Sequence, residues 1–196
     1  MKLISLLAAL TSFFISYVAH ADKWTAATPV ISSSSNATLI VRITPGNSVG
    51  DVNGFEGAPK GQMASASWFK FDGENYQFSH QYELPIPIAP VDVAVLNDGV
   101  LVTFDNWHNV GIGKVIRVFA ADGVEMASFE LADIYSKKEQ KRFKRSASSY
   151  WWRKGGISVS DHDAQVHFSD CAGNYVSLST QTLEVKKSKY GNAGCD

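Results

Sequence analysis

Alternation of apolar and polar side chains, interrupted by Asp-Gly pairs, is the feature that most limits how this chain can fold. Residues 100–104 and 125–131 alternate with a period of two, as do residues 76–84. Such a period places successive side chains on opposite faces of a strand. One face of residues 76–84 is therefore expected to carry Tyr76, Phe78, His80, Tyr82 and Leu84. The pattern predicts about ten or eleven half-buried strands.

Acidic turn signals separate these runs. Asp-Gly pairs stand at 72–73, 98–99 and 122–123, and Asp161-His162-Asp163 holds the equivalent place further on. A tight hairpin needs a positive φ, which Gly adopts without steric cost. We therefore predict antiparallel hairpins.

Two stretches repeat weakly within the chain. Residues 68–84 are similar to residues 116–131, and residues 93–105 are similar to residues 157–170. A four-stranded meander that recurs about every 50–60 residues is typical of β-propeller blades. Similarity between unrelated hairpins is the alternative explanation for these repeats. We predict an all-β fold of antiparallel meanders resembling β-propeller blades, as a partial propeller or a sandwich.

Two segments depart from the strand pattern. Residues 44–65 contain five glycines and two prolines, which predicts a long loop that is either functional or disordered. Ser136 and Glu139 have the spacing of a capping box, which predicts one short helix near 136–145.

The first twenty-one residues have the organisation of a secretory signal peptide. Lys2 precedes an apolar run, and Ala19-His20-Ala21 is a small-x-small cleavage site. We predict cleavage after Ala21, a single β domain over 22–196, and a secreted or periplasmic location. An uncleaved membrane anchor is the alternative, because about seventeen residues nearly span a bilayer.

The charge balance limits the classes of partner that the protein can bind, and its two cysteines indicate a possible disulfide. Residues 22–196 carry 17 basic and 19 acidic side chains, since Lys2 is the one charged residue before the cleavage site. This balance gives no overall attraction to nucleic acid, and no stable membrane anchor is expected, whereas oligomerisation stays open. In an oxidising compartment Cys171 and Cys195 are expected to form a disulfide, with two unpaired thiols as the alternative.

No complete catalytic, metal or cofactor motif is present in the sequence. Asp161, His162, Asp163 and His167 have metal-ligand types, but their spacing does not make them converge on a strand, so we expect neither metal nor cofactor. Gly111-Ile112-Gly113 lacks the third glycine of a nucleotide loop, and no G-x-S-x-G is found.

Two stretches are candidate binding surfaces. The first combines carboxylate, amide, indole and imidazole groups that suit a sugar or a peptide: Asp105, Asn106, Trp107, His108 and Asn109. The second is basic and aromatic, and its candidate residues are Lys141, Arg142, Arg145, Tyr150, Trp151, Trp152 and Arg153. Six positive charges stand against one Glu within 137–145, which would attract phosphates, anionic headgroups or an acidic partner. The alternatives are structural: Trp107 covering the core edge, and a solvated basic face above buried tryptophans.

The same stretches resemble a family of uncharacterised secreted bacterial all-β proteins with β-propeller-like repeats. The motifs are D-G-x-x-V-T-F-D-N-W-H at 98–108 and R-S-x-S-S-x-W-W-R at 145–153, together with the loop at 46–61. The resemblance implies bacterial export and a propeller-like fold, and it implies no activity.

We predict a non-enzymatic binding module that presents residues 105–109 and 145–153 to a partner protein or a glycan. One alternative is a hydrolase of envelope polymers that uses His108 with Asp105. Another is a structural subunit of a larger envelope assembly.

Overall fold

The computed structural model describes residues 25–146 and 149–191. Its strands are β1 (Val30–Ser33), β2 (Leu39–Thr44), β3 (Ser65–Phe71), β4 (Tyr76–Glu83), β5 (Asp92–Val95), β6 (Leu101–Phe104), β7 (Ile116–Phe119), β8 (Glu125–Phe129), β9 (Lys144–Arg145), β10 (Tyr150–Trp151), β11 (Arg153–Ser160), β12 (Gln165–Asp170), β13 (Asn174–Ser179) and β14 (Val185–Lys189). A 3₁₀ helix (Val49–Asp51) and two one-turn helices, α1 (Leu131–Ile134) and α2 (Lys137–Gln140), complete the described elements. The predicted signal peptide and Cys195 lie outside these residues, so cleavage and the disulfide stay predictions.

The strands form three four-stranded antiparallel meanders and one small hairpin. Sheet I contains β1–β4, sheet II contains β5–β8, sheet III contains β11–β14, and β9 pairs with β10. In each meander every strand pairs with its neighbours in sequence, and the first strands lie together, since β5 contacts both β1 and β11. The predicted all-β fold of propeller-blade meanders is confirmed.

The weak sequence repeats occupy matching places in the sheets. Residues 68–84 form the β3–β4 hairpin of sheet I, and residues 116–131 include the β7–β8 hairpin of sheet II. Residues 93–105 and 157–170 likewise include the first hairpins of sheets II and III. The internal sequence similarity therefore reflects equivalent positions in successive blades.

Sheet II lies in the middle and is covered on both faces. Val95, Leu101 and Phe119 share a core with Trp68 and Ile43 of sheet I. Side chains at the alternate positions, including Val102, Phe104, Ile116 and Val118, join the core with Phe168 and Leu178 of sheet III. Burial on two sides explains why β6 is buried at all four positions.

A β-bulge divides the long alternating run of β4. Trp68 faces His80 across the strands, but the next residue, Phe69, faces Phe78, so Ser79 is the extra residue. The expectation that Tyr76 and Phe78 share a face with the buried Leu84 was wrong, because the bulge moves them to the other side. Phe78 is accordingly 61% exposed, while Leu84 is 0% exposed.

The acidic turns have the predicted backbone. Gly73, Gly99 and Gly123 all have positive φ, at 111°, 88° and 90°. The Asp98 carboxylate accepts a hydrogen bond from the Val100 backbone N–H at 3.0 Å, an Asx-turn contact. In the fourth turn Ala164 takes the positive φ of 49°.

The first hairpin turns of the three sheets meet through one carboxylate. Asp161 of the β11–β12 turn accepts a hydrogen bond from the Asn97 backbone N–H of the β5–β6 turn at 2.5 Å. Ser35, in the β1–β2 turn, donates its hydroxyl to the same carboxylate. The three blades are therefore linked by polar contacts as well as by their cores.

The predicted helix is present and short. Ser136 and Glu139 form the expected reciprocal capping box at the start of α2. The helix ends at Gln140, and residues 144–145 instead pair with residues 150–151. This hairpin and several four-residue strands bring the described strands to fourteen, more than the alternation alone had indicated.

Candidate functional site

Three connections meet at one end of the sheets. They are the long loop between β2 and β3, the loop between β6 and β7, and the segment that leads from β8 through the helices to β11. In a meander, the connections that leave even-numbered strands lie at the same end, which brings these segments together.

The glycine-rich loop of residues 44–65 is tightly folded. A Cβ at Gly46 would lie 2.4 Å from the carbonyl oxygens of Gln62 and Pro87, and one at Gly50 would lie 2.1 Å from the carbonyl oxygen of Ala58. Gly46 donates its N–H to the Ile88 carbonyl at 2.7 Å. Glycine therefore lets the loop fold back on itself and hold residues 53–55 in a defined place.

The two predicted binding stretches contact each other. The Tyr150 N–H donates to the Asn109 carbonyl oxygen at 2.8 Å. The Trp152 indole N–H donates to the Asp105 carboxylate. Asp105 and Asn109 both have positive φ, at 54° and 47°, a backbone region that Asp and Asn tolerate better than most residues.

The β9–β10 hairpin arranges cations over aromatic rings. Arg145 lies directly across from Tyr150, and Lys144 lies across from Trp151. The Arg145 guanidinium is 4.1 Å from the Tyr150 ring centroid, and the Lys144 ammonium is 5.2 Å from the Trp151 ring. Cross-strand pairing thus forms two consecutive cation–π contacts, which point to opposite faces of the hairpin.

These segments enclose a cleft of about 540 Å³, which we call the loop cleft. It is lined by Asn53, Gly54, Phe55, His108, Val110, Gly111, Ile112, Gln140, Arg145, Ser146, Ser149 and Tyr150. The lining combines two aromatic rings, an imidazole, a guanidinium and several amide and hydroxyl groups. Its volume lies in the range of small-ligand sites, about 300–1,000 Å³.

His108 and Phe55 stack within the loop cleft. Their ring centroids are 5.2 Å apart with an interplanar angle of 25°. Burial lowers the pKa of His108 below its usual value, which favours the neutral imidazole at neutral pH. A neutral imidazole can donate or accept a hydrogen bond while its face packs on Phe55.

Asp105 lies in the core behind this surface. Burial raises its pKa to about 7, and the hydrogen bond from Trp152 and the positive charge of Arg153 only partly offset that effect. The side chain lines a smaller cavity of about 280 Å³ together with Asn106, Lys114 and Arg117. Asn106 Oδ1 is buried there without a hydrogen-bond partner among the residues described.

The other predicted binding residues are divided between surface and core. Trp107 donates its indole N–H to the Thr25 carbonyl at 2.7 Å. Lys141 and Arg142 are exposed, and Trp151 is partly exposed. Trp152 is fully buried, and Arg153 pairs with Asp92 and lies over the Phe104 ring, so these two side chains support the fold.

Apart from two glycines, sequence reasoning missed five lining residues outside the two predicted stretches: Asn53, Phe55, Val110, Ile112 and Gln140. The length and glycine content of residues 44–65 were the available signal for the first two. That signal marked a long loop without indicating which of its residues would reach the other two connections.

The acidic and histidine residues at 161–167 serve other contacts. Asp161 is used by the turn network, and His167 stacks on Tyr175 with ring centroids 5.3 Å apart. Over residues 25–146 and 149–191, no group of three or more His, Cys, Asp or Glu side chains could hold a metal ion. The described helices are all too short or too polar to cross a membrane.

The fold and the cleft together define an all-β protein of three propeller-blade meanders that carries a loop-lined cleft at one end. A scan against protein-family models gives no match. A search of curated proteins finds no similar sequence. Among solved structures, the chain is similar to the "Crystal structure of HIRA(644-1017)", with 9% identity and a TM-score of 0.37. The match covers 83% of this chain and 57% of that one, so the chain spans a little over half of the matched structure.

Proposed function

We propose that this protein is a non-enzymatic binding module that holds a segment of a partner protein or a glycan in the loop cleft. The observation that carries the proposal is the convergence of three separate connections on one concave, mixed aromatic and polar surface. Binding sites generally combine such an apolar lining with a few polar groups that fix orientation.

A secreted or periplasmic location is part of the proposal. It is supported by the signal-peptide organisation of residues 1–21 and by the resemblance to exported bacterial proteins. The module would therefore meet its ligand outside the cytoplasm. A structural role within an envelope assembly is a variant of the same proposal, in which the partner is a permanent one.

The alternative of a hydrolase that uses His108 with Asp105 receives less support. A general base needs an orienting carboxylate within hydrogen-bond reach. The Asp105 carboxylate accepts from the Trp152 indole in the core, and Asp105 lines the smaller cavity instead of the loop cleft. His108 packs its ring against Phe55 in the loop cleft.

The test is to probe residues 22–196 on a glycan array and on a peptide array, beside a Phe55→Ala variant. Phe55 is 42% exposed and lines the loop cleft, so its removal should weaken ligand capture without unfolding the protein. Truncation of a residue that is a binding hot spot costs about 2 kcal/mol or more, so we expect a loss of about tenfold or more in affinity if Phe55 anchors the ligand.

Phe78→Ala is the matched control, because Phe78 is also an exposed phenylalanine but lies on the outer face of sheet I. Ligands that Phe55→Ala loses and Phe78→Ala retains support the proposal. Equal capture by both variants of every ligand would contradict it.

A further inference from the structure

We infer that the ligand of the loop cleft is a glycan that carries carboxylate groups, an inference that rests on the binding function proposed above. It follows from the charge of the lining, the charge of the adjoining segment and the chemistry of the neutral lining residues.

The lining of the loop cleft carries an unbalanced positive charge. None of its described residues is acidic, and Arg145 is permanently protonated. No carboxylate of the described residues lies within ion-pair distance of Arg145, whose guanidinium instead packs over the face of Tyr150. That stacking uses the flat face of the guanidinium and leaves its edge N–H donors for a ligand carboxylate.

The segment that leads into the cleft extends this positive charge. Residues 137–145 hold six cations and one acid, Glu139, whose carboxylate binds Lys187 at 2.7 Å and also accepts hydrogen bonds from Ser136. None of the six cations has an ion-pair partner among the described residues.

The rest of residues 22–196 has the opposite charge. Outside 137–145 it holds 11 basic and 18 acidic side chains, because the segment takes six of the 17 cations and one of the 19 acids. Such an asymmetry favours the approach of an anionic polymer to the basic segment over the rest of the chain. The charge distribution therefore directs an anionic chain towards residues 137–145, of which Gln140 and Arg145 line the loop cleft.

The neutral lining residues favour a sugar over a peptide or a membrane. Phe55, which is 42% exposed, offers a ring face for the C–H side of a sugar, and Asn53, Gln140 and Ser149 offer amide and hydroxyl groups for its oxygens. A peptide that added to a sheet would need free backbone groups, but the Tyr150 N–H already bonds to Asn109. A bilayer surface would not enter a concave cleft.

The experiment is calorimetric titration of residues 22–196 with tetragalacturonate, a four-unit oligosaccharide with one carboxylate per sugar. The parallel titrants are the neutral tetragalactose, an octaglutamate peptide and phosphatidylglycerol vesicles. We expect tetragalacturonate to bind most tightly, and Arg145→Gln to weaken it by about tenfold or more. Lys70→Gln is the charge-matched control, because Lys70 is an exposed cation of β3 outside the loop cleft, and it should leave the affinity unchanged.

Three results would overturn the inference. The first is that tetragalactose binds as tightly as tetragalacturonate, and the second is that octaglutamate or the vesicles bind more tightly than tetragalacturonate with the same dependence on Arg145. The third is that Arg145→Gln has no effect on the affinity for tetragalacturonate. The array comparison separates this failure from that of the proposed function. A neutral glycan or a peptide that Phe55→Ala loses would keep the binding function and reject the carboxylated ligand. If no ligand of any class depends on Phe55, both are rejected.

Discussion

Ionisation of the buried Asp105 carboxyl group destabilises the folded protein. Burial raises its pKa from 3.8 to about 7, so between these values the folded protein holds a proton that the unfolded chain has lost. Stability from this group is therefore complete below pH 4 and is lost as the pH rises towards 7, because over that range the unfolded chain gains free energy by ionising Asp105 while the folded protein keeps it protonated.

Asp105→Asn should remove this pH dependence while keeping an oxygen to accept the Trp152 indole N–H. We expect the unfolding free energy of the variant, relative to the native chain, to rise by up to about 4 kcal/mol between pH 4 and pH 7. Urea unfolding across that range measures it. A difference between the two proteins that stays constant with pH would contradict the prediction.

Gly111 is the position where the loop cleft leaves no room for a side chain. A Cβ there would lie 2.5 Å from a Tyr150 ring carbon and 3.1 Å from Leu131 Cδ1. Gly111→Ala should therefore displace Tyr150 and lower the unfolding free energy, by about 1–3 kcal/mol for the overpacking alone.

Gly113→Ala is the control for this change, because Gly113 also has positive φ, 73° against 62°, but its Cβ would meet no heavy atom within 4 Å. Both variants share the backbone strain, so the difference in their urea unfolding free energies isolates the contact with Tyr150. Equal destabilisation by the two variants would show that the Tyr150 side chain moves aside without any loss of stability.

At the scale of single elements, the β11–β12 turn ties the blades together through Asp161. Asp161→Ala should lower the unfolding free energy by about 1–2 kcal/mol, because the Asn97 N–H and the Ser35 hydroxyl lose a charged acceptor. Asp163→Ala in the same turn removes only a 3.1 Å hydrogen bond from the Ser160 hydroxyl. This variant should change the unfolding free energy by less than about 0.5 kcal/mol. Urea unfolding of both compares them directly, and equal losses would mean that Asp161 has no role beyond its own turn.

The sequence pattern predicted an element correctly where that element depends on a few residues close together in the chain. The Asp-Gly turns and the Ser136–Glu139 capping box form as expected, because each depends on residues close in sequence. The bulge at Ser79 was not predictable, since it depends on how β4 aligns with β3. A period of two shows that a strand exists but not where an extra residue interrupts its pairing.

The site shows the same division between local and distant information. Residues 105–109 and 145–153 were singled out by their chemistry, and His108, Arg145 and Tyr150 do line one cleft. Composition could not show that Trp152 and Asp105 would turn inward and meet, because they are 47 residues apart and each is compatible with a surface or with a buried hydrogen bond. That outcome depends on packing between sheets II and III.

At the scale of the whole molecule, sheet II should be the most protected part of the structure. Its inner strands β6 and β7 are paired on both edges and buried on both faces. We expect their amides to exchange with solvent most slowly in native-state hydrogen exchange, because their exposure requires both neighbouring sheets to separate. The outer strand β14, whose side chains are mostly exposed, should exchange much faster. Slower exchange in sheet I or sheet III than in β6 would contradict this order.

Pairing between sequence neighbours also bears on how the chain acquires its structure. Each ladder of the four-stranded sheets closes within one continuous stretch, residues 30–83, 92–129 or 153–189, and among the described residues no ladder joins one of these sheets to another. Loop closure over short chain segments costs little entropy and favours rapid folding. As synthesis proceeds from the N-terminus, the first ladder can close before the last leaves the ribosome, so the chain would assemble blade by blade, with the contacts between blades forming after each ladder has closed.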